Sequence, residues 1–170
     1  GVDIEMTDET IGMKTNFRSD ANIIAIFMST PDAYRAYEIA EKFKKKGKTI
    51  VLGGLHTKFC KDEAMEYADS ILIGETEGIW EQLVNDFQND ILKKIYERIS
   101  PVDLSQLDPY PTDIISPEKY NYTWSVVVGR GCPNKCSFCL VPEFSDKYRL
   151  RPIEDIVSEI KHLKTLGVEW

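Results

Sequence analysis

No stretch of this 170-residue chain stays apolar for the roughly 18–20 residues that a membrane span needs, and no secretory hydrophobic region stands at its start. A membrane partner is therefore not expected. Cysteine is scarce: there are four, Cys60 alone and three crowded between 132 and 139. Cys136 and Cys139 are too close together to staple much chain, so a disulfide framework is not expected and a reduced, cytoplasmic setting is. Positive charge is the minority sign. With 21 Lys and Arg against 28 Asp and Glu, the net charge is −7, which argues against a broad electrostatic grip on nucleic acid. The one basic run, Lys44-Lys45-Lys46, reads as a solvated helix end. What remains, 42% hydrophobic and 29% charged residues, fits a globular chain holding one sizeable domain, or one domain and part of another.

The stretch that organises the rest is Gly129-Arg130-Gly131-Cys132-Pro133-Asn134-Lys135-Cys136-Ser137-Phe138-Cys139. Its cysteines follow a C-x3-C-x2-C spacing. Thiolates prefer soft iron or zinc, and three on one short loop can converge on one metal centre. A structural zinc site would want a fourth ligand. A four-iron cluster held by three thiolates would leave one iron open. The apolar run Trp124-Ser125-Val126-Val127-Val128 leads into the loop and reads as a buried strand, part of a strand over 123–128. After it, Pro152 starts a helix with Glu154 and Asp155 in its first turn, and Gly167 stops it. Ile153, Ile156, Val157, Ile160, Leu163 and Leu166 form its apolar stripe, while His162 reads as solvent-facing.

Earlier in the chain, strand and helix alternate. Val2 to Met6 alternates apolar with acidic and reads as a strand; Thr7 to Asn22 reads as a connection with a short helical piece. Ile23 to Phe27, Thr49 to Leu52 and Ser70 to Ile73 are continuous apolar runs, as expected of strands covered on both faces. Thr30 offers an N-cap before Pro31, and Tyr34, Tyr37, Ile39, Ala40 and Phe43 recur at helical spacing up to Gly47. Asp62 to Ala68 reads as a short helix. Ile79, Trp80, Leu83, Val84 and Phe87 mark one helix face, and Leu92 to Tyr96 reads as an edge strand. Such alternation implies an α/β fold with a parallel sheet and helices on both faces, whose ligands bind beyond the carboxyl ends of the strands. Gly53-Gly54 and Gly74-Glu75 fall at those ends, either as tight turns or as places where a flat ligand lies against backbone. Cys60 reads as a small apolar residue. Pro101, Pro109, Pro111 and Pro117 punctuate an irregular but ordered connector anchored by Leu104, Leu107, Tyr110, Ile114 and Ile115.

Cys132, Cys136 and Cys139, with Phe138 just before the last, resemble the signature of radical S-adenosylmethionine (SAM) enzymes. Val51-Leu52-Gly53-Gly54-Leu55-His56 and Ile73-Gly74-Glu75-Thr76-Glu77-Gly78-Ile79-Trp80 resemble the two glycine motifs of the cobalamin-binding domain that precedes the barrel in one subgroup. Asp108-Pro109-Tyr110-Pro111 resembles that subgroup's connector. The resemblance implies a cobalamin-type Rossmann-like domain over 1–97 lacking its first strand, a proline-rich linker over 98–122, and the first βα unit of a radical SAM barrel over 123–170. It implies three cysteine ligands to a [4Fe–4S] cluster, SAM on the fourth iron, and reductive cleavage to a 5′-deoxyadenosyl radical. It also implies a cofactor-binding role for Gly53, Gly54, Gly74, Glu75 and Phe138, and an electron donor such as flavodoxin or ferredoxin. Phe138 lies on the adenine side in that family, or is plain core. The D-x-H-x-x-G motif that supplies an axial histidine in other cobalamin proteins is absent, and His56 reads as a structural residue rather than a cobalt ligand. The family architecture further implies a strand and helix before Val2 and more βα units after Gly167, so the chain is expected to be an inactive piece of a longer enzyme. The substrate is not legible. A cobalamin-free first domain, and a non-catalytic α/β module with a zinc loop, are the competing readings.

Overall fold

The computed structural model describes residues 2–109, 125–145 and 147–168. The connector anchors Tyr110, Ile114 and Ile115, the prolines Pro111 and Pro117, and the first residues of the expected 123–128 strand lie outside the described residues. The chain divides into two compact units, Phe17–Pro101 and a second formed by Gly1–Asn16 with Val102–Trp170. No helix among the described residues is long and apolar enough to cross a membrane.

The unit Phe17–Pro101 is a four-stranded parallel sheet in the order β1 (Ile23–Phe27), β2 (Thr49–Gly53), β3 (Ser70–Ile73), β4 (Ile95–Glu97). Helix α1 (Ala33–Lys44) joins β1 to β2, α2 (Leu55–Phe59) and α3 (Lys61–Tyr67) join β2 to β3, and α4 (Ile79–Gln88) joins β3 to β4. Ile50, Leu52, Ile71 and Ile73 point to one face and pack with Ala36, Tyr37, Ala40 and Phe43 of α1 and Ala64 of α3. Val51 and Leu72, one residue out of phase, point the other way and pack with Leu83 of α4 and Tyr96 of β4. Both faces are thus covered, which is why β2 and β3 read as unbroken apolar runs. The fold is α/β and Rossmann-like.

Several local expectations give way to tertiary context. β1 is an edge strand, only half-buried, with Phe27 54% exposed. Its apolar run was expected to be covered on both faces, but an edge strand has a sheet neighbour on one side alone. Val2 to Met6 forms no strand, since no described segment pairs with it, and Val2 and Ile4 stand exposed. Thr30 does not cap α1. The chain enters through a short turn, Thr30–Asp32, with Ser29 in the capping position and its hydroxyl donating to the Asp32 carboxylate. The buried face of α1 is built on Ala33, Ala36, Tyr37, Ala40 and Phe43, leaving Tyr34 89% exposed. Gly47 ends the helix region at φ +74°.

On the second face, Asp86 is buried, and its carboxylate accepts from the Tyr96 hydroxyl at 2.8 Å, with Lys93 Nζ 3.4 Å away. Burial pushes the Tyr96 hydroxyl above its ordinary pKa, as does the bond to Asp86, so it stays a donor. Tyr96→Phe leaves Asp86 without this bond and is expected to cost about 1–3 kcal/mol. A drop in the urea midpoint at unchanged slope checks it; an unchanged midpoint would mean Lys93 alone suffices.

The second unit holds β5 (Gly129–Arg130) paired antiparallel with β6 (Arg149–Leu150), α5 (Val141–Phe144) and α6 (Ile153–Thr165). The strand expected over 123–128 is not formed at 125–128. Val126 and Val127 are only half-buried, Val128 is 53% exposed, and no parallel neighbour among the described residues completes a ladder there. Helix α6 begins after Pro152, with Glu154 and Asp155 in its first turn, and Gly167 terminates it at φ +81°. Its apolar stripe is mostly open: Leu163 is buried, whereas Ile153, Val157, Ile160 and Leu166 are exposed.

Candidate functional site

The three-cysteine loop is a closed excursion from a short ladder. Gly129 pairs with Leu150 and Arg130 with Arg149, so residues 131–148 leave and return at one point. Gly131 has φ +86°, and a Cβ there would stand 2.3 Å from the Lys147 carbonyl oxygen, so the closing strands meet only if this residue is glycine. Within the loop, the Cys139 N–H donates to the Cys136 carbonyl at 3.1 Å, turning the chain back between the second and third thiols. Cys132 and Cys139 are half-buried, Cys136 is exposed, and all three are free thiols. Phe138 is 88% exposed and packs into no core here. The donor set is three soft sulfurs on one loop, a set that suits iron–sulfur centres or, with a fourth ligand, zinc.

The loop is braced from outside by residues that sequence reasoning missed. Arg151 donates to the Val127 carbonyl at 3.0 Å and to Glu159 Oε2 at 2.6 Å, and its backbone N–H donates to Val128 at 3.0 Å. Both side chains of this pair are about 95% or more buried, being 5% and 3% exposed. One guanidinium thereby ties the segment entering the loop to helix α6. Arg149 donates to the Val102 carbonyl.

In the other unit, Gly53, Gly54, Gly74 and Glu75 sit at the carboxyl ends of β2 and β3. Gly54 has φ +101°, and a Cβ there would lie 2.3 Å from the Met28 carbonyl oxygen. Its glycine requirement thus comes from the backbone leaving β1, where Met28 N–H donates to Gly53 at 2.9 Å. Gly54→Ala is expected to cost about 2–3 kcal/mol from strain and overpacking, read as a lower thermal midpoint of this unit. Near-wild-type stability would show that the Met28 backbone can yield. Thr57, fully buried, has its hydroxyl 2.7 Å from the Gly54 carbonyl and 3.1 Å from that of Leu72, and so pins α2 across both strand ends. The loop after Gly74 is held by Arg98, whose N–H donates to Ile73 at 3.0 Å and whose guanidinium donates to the Glu77 carbonyl. Phe27, Leu55 and Phe59, all partly exposed, add apolar surface at this end of the sheet.

His56 is 4% exposed. Its Nδ1 lies 3.2 Å from Thr30 Oγ1, and its Nε2 lies 3.0 Å from the Tyr37 hydroxyl. The imidazole is therefore a satisfied buried residue, out of reach of a large planar ligand. Burial pushes the Tyr37 hydroxyl far above its ordinary pKa, and Glu63 and Cys60 push the same way.

Residues 126–169 match the radical SAM superfamily. Over 95% of its length the chain is 37% identical to the bacteriochlorophyllide d C-8(2)-methyltransferase of Chlorobaculum tepidum, covering 37% of that protein. It is 30% identical, over 97% of its length, to the bacteriochlorophyllide d C-12(1)-methyltransferase of the same organism, covering 38% of it. Against the ribosomal protein uS12 methylthiotransferase RimO of Pseudomonas syringae pv. tomato the identity is 27% over 88% of the chain and 33% of that protein. The chain spans about a third of the length of these curated relatives.

Proposed function

We propose that this chain is part of a radical SAM enzyme, and that the whole protein cleaves SAM reductively and transfers a methyl group to carbon. The carrying observation is the closed loop with its three free thiols, Cys132, Cys136 and Cys139, inside the matched segment. These thiolates would hold three irons of a [4Fe–4S] cluster. When bound, such a cluster supplies the single electron that breaks a carbon–sulfur bond of SAM. The chain's own part is to present the thiolates, brace the loop through Arg151 and Glu159, and offer the exposed Phe138 ring to the adenine side.

The first unit is the cobalamin module of this reading. Gly53, Gly54, Gly74 and Glu75 line the carboxyl end of a parallel sheet, where such folds bind ligands. The apolar side chains of Phe27, Leu55 and Phe59 suit a large, partly apolar ring system, so the residues present fit the group. His56 is buried and doubly hydrogen-bonded, so a cobalamin would be held without a histidine ligand from this position. The methyltransferase names of two relatives support methyl transfer to a tetrapyrrole-like carbon substrate. The likeness to RimO supports a second reading, methylthio transfer to a protein. A reduced cytoplasmic compartment and a flavodoxin or ferredoxin donor complete the proposal.

The test is anaerobic reconstitution of the full-length protein with iron and sulfide. The expected result is thiolate-to-iron charge-transfer absorption, about four irons per chain and no stoichiometric zinc. Colourless protein carrying one tetrahedral zinc on the loop overturns the enzyme reading. Cobalamin that stays with the purified full-length protein supports the methyl-transfer reading. Clean protein that turns over SAM without cobalamin would favour a cobalamin-free scaffold.

A further inference from the structure

Helices α2 and α3 follow each other with only Cys60 between them. The Cys60 N–H still donates to the His56 carbonyl at 2.9 Å, and the Ala64 N–H donates to the Cys60 carbonyl at 3.0 Å. Cys60 itself leaves helical geometry (φ −126°, ψ 53°), and the bend it makes between the two helices sets His56, Cys60 and Glu63 beside one another. A ring nitrogen of His56, the Cys60 sulfur and a Glu63 carboxylate oxygen all lie within 4.8 Å of one another. His56 Nε2 is 3.5 Å from Glu63 Oε1. Among the described residues this is the one trio of possible ligand groups drawn so close. We propose that His56, Cys60 and Glu63 form a binding site for a zinc-class divalent cation, separate from the three-cysteine loop.

The chemistry of the donors fits. One imidazole, one thiolate and one carboxylate make a borderline-soft set that suits zinc, with solvent as the fourth ligand of a tetrahedron. Two anionic ligands balance a dication, so the loaded site is neutral, which matters where one ligand is almost fully buried. Glu63 is 52% exposed and Cys60 is partly exposed, giving a bare ion the entry that a corrin ring lacks. The second shell is already built. Thr30 Oγ1, 3.2 Å from Nδ1, can accept its hydrogen and so leave the lone pair on Nε2, the nitrogen facing Glu63. The Tyr37 hydroxyl, 3.0 Å from Nε2, is also hydrogen-bonded to the Glu63 carboxylate and can stay on it when the ion takes that lone pair. Tyr37 itself is clamped by stacking on Tyr67, with ring centroids 4.0 Å apart.

The site does not depend on the iron–sulfur reading, and its test removes the thiols of the three-cysteine loop. Full-length protein carrying Cys132→Ser, Cys136→Ser and Cys139→Ser is titrated with cobalt(II) as a spectroscopic stand-in for zinc. One equivalent should produce thiolate-to-cobalt charge transfer and intense visible bands of a tetrahedral ion, both abolished by added zinc. Adding Cys60→Ser should remove the charge-transfer band, and Glu63→Gln should weaken cobalt binding by about 100-fold. Thr30→Val, which touches no ion, should weaken it by about 10-fold with the band intact. A protein that gives no such band at stoichiometric cobalt, or keeps it after Cys60→Ser, overturns the site. Circular dichroism of each variant establishes that it has folded.

Discussion

Cys136→Ala in the full-length protein, reconstituted without oxygen, is expected to lose the iron–sulfur centre. Iron should fall from about four per chain to background, and the charge-transfer absorption should vanish with it. Cys136 is the exposed middle thiol, and Cys139 is turned toward it by the 3.1 Å backbone bond to its carbonyl. Loss of the middle thiolate leaves two ligands, too few to hold a four-iron unit against hydrolysis. Substituting alanine for an exposed side chain removes little packing, so secondary structure should not change. Two controls sharpen the result. Cys60→Ser should retain all the iron, since Cys60 lies on the first unit, and Phe138→Ala should retain the cluster while weakening SAM binding. An unchanged iron content in Cys136→Ala would sink the ligand assignment and the proposed chemistry with it.

The second large effect is expected at Arg151. Its guanidinium and the Glu159 carboxylate are both almost fully buried and 2.6 Å apart. Arg151→Leu leaves the Glu159 carboxylate buried without its cation, and frees the Val127 carbonyl that the same guanidinium holds. Breaking a buried pair in this way costs about 3–5 kcal/mol. The pair is not fully satisfied even when intact, since Arg151 Nε and Glu159 Oε1 find no hydrogen-bond partner among the described residues. Replacing both partners, Arg151→Met with Glu159→Leu, should therefore recover most of the loss in stability. Chemical denaturation followed by a probe in the second unit measures it. A single variant as stable as the parent, or a double variant no better than the single, would show that the pair's desolvation is not what the numbers imply.

How much of this was legible follows the range of the interactions. Unbroken apolar runs at 49–52 and 70–73 announce covered strands because burial on both faces leaves no room for alternation. β1 carries the same kind of run and is half-open, since its place at the sheet edge is a fact about neighbours that no local pattern contains. The five-residue helix α2 went unread because it is too short to establish a period. Arg151 with Glu159 went unread because opposite charges eight apart announce no contact. Their pairing depends on the chain reversing at β6 before α6 begins. The trio at 56, 60 and 63 is brought together by the bend at Cys60, which no periodicity announces. His56 and Cys60 were weighed singly, and each alone reads as ordinary core.

The sequence by itself determined the α/β class, the position of the sulfur loop and the glycines at the strand ends, because these rest on periodicity and on residue types that have few substitutes. Only the tertiary structure decided which strand lies at the edge, why Gly54 must be glycine, which charges are buried together and where His56 points. Each of those depends on backbone brought close from elsewhere in the chain, and a steric or electrostatic requirement of that kind exists only once the fold has formed.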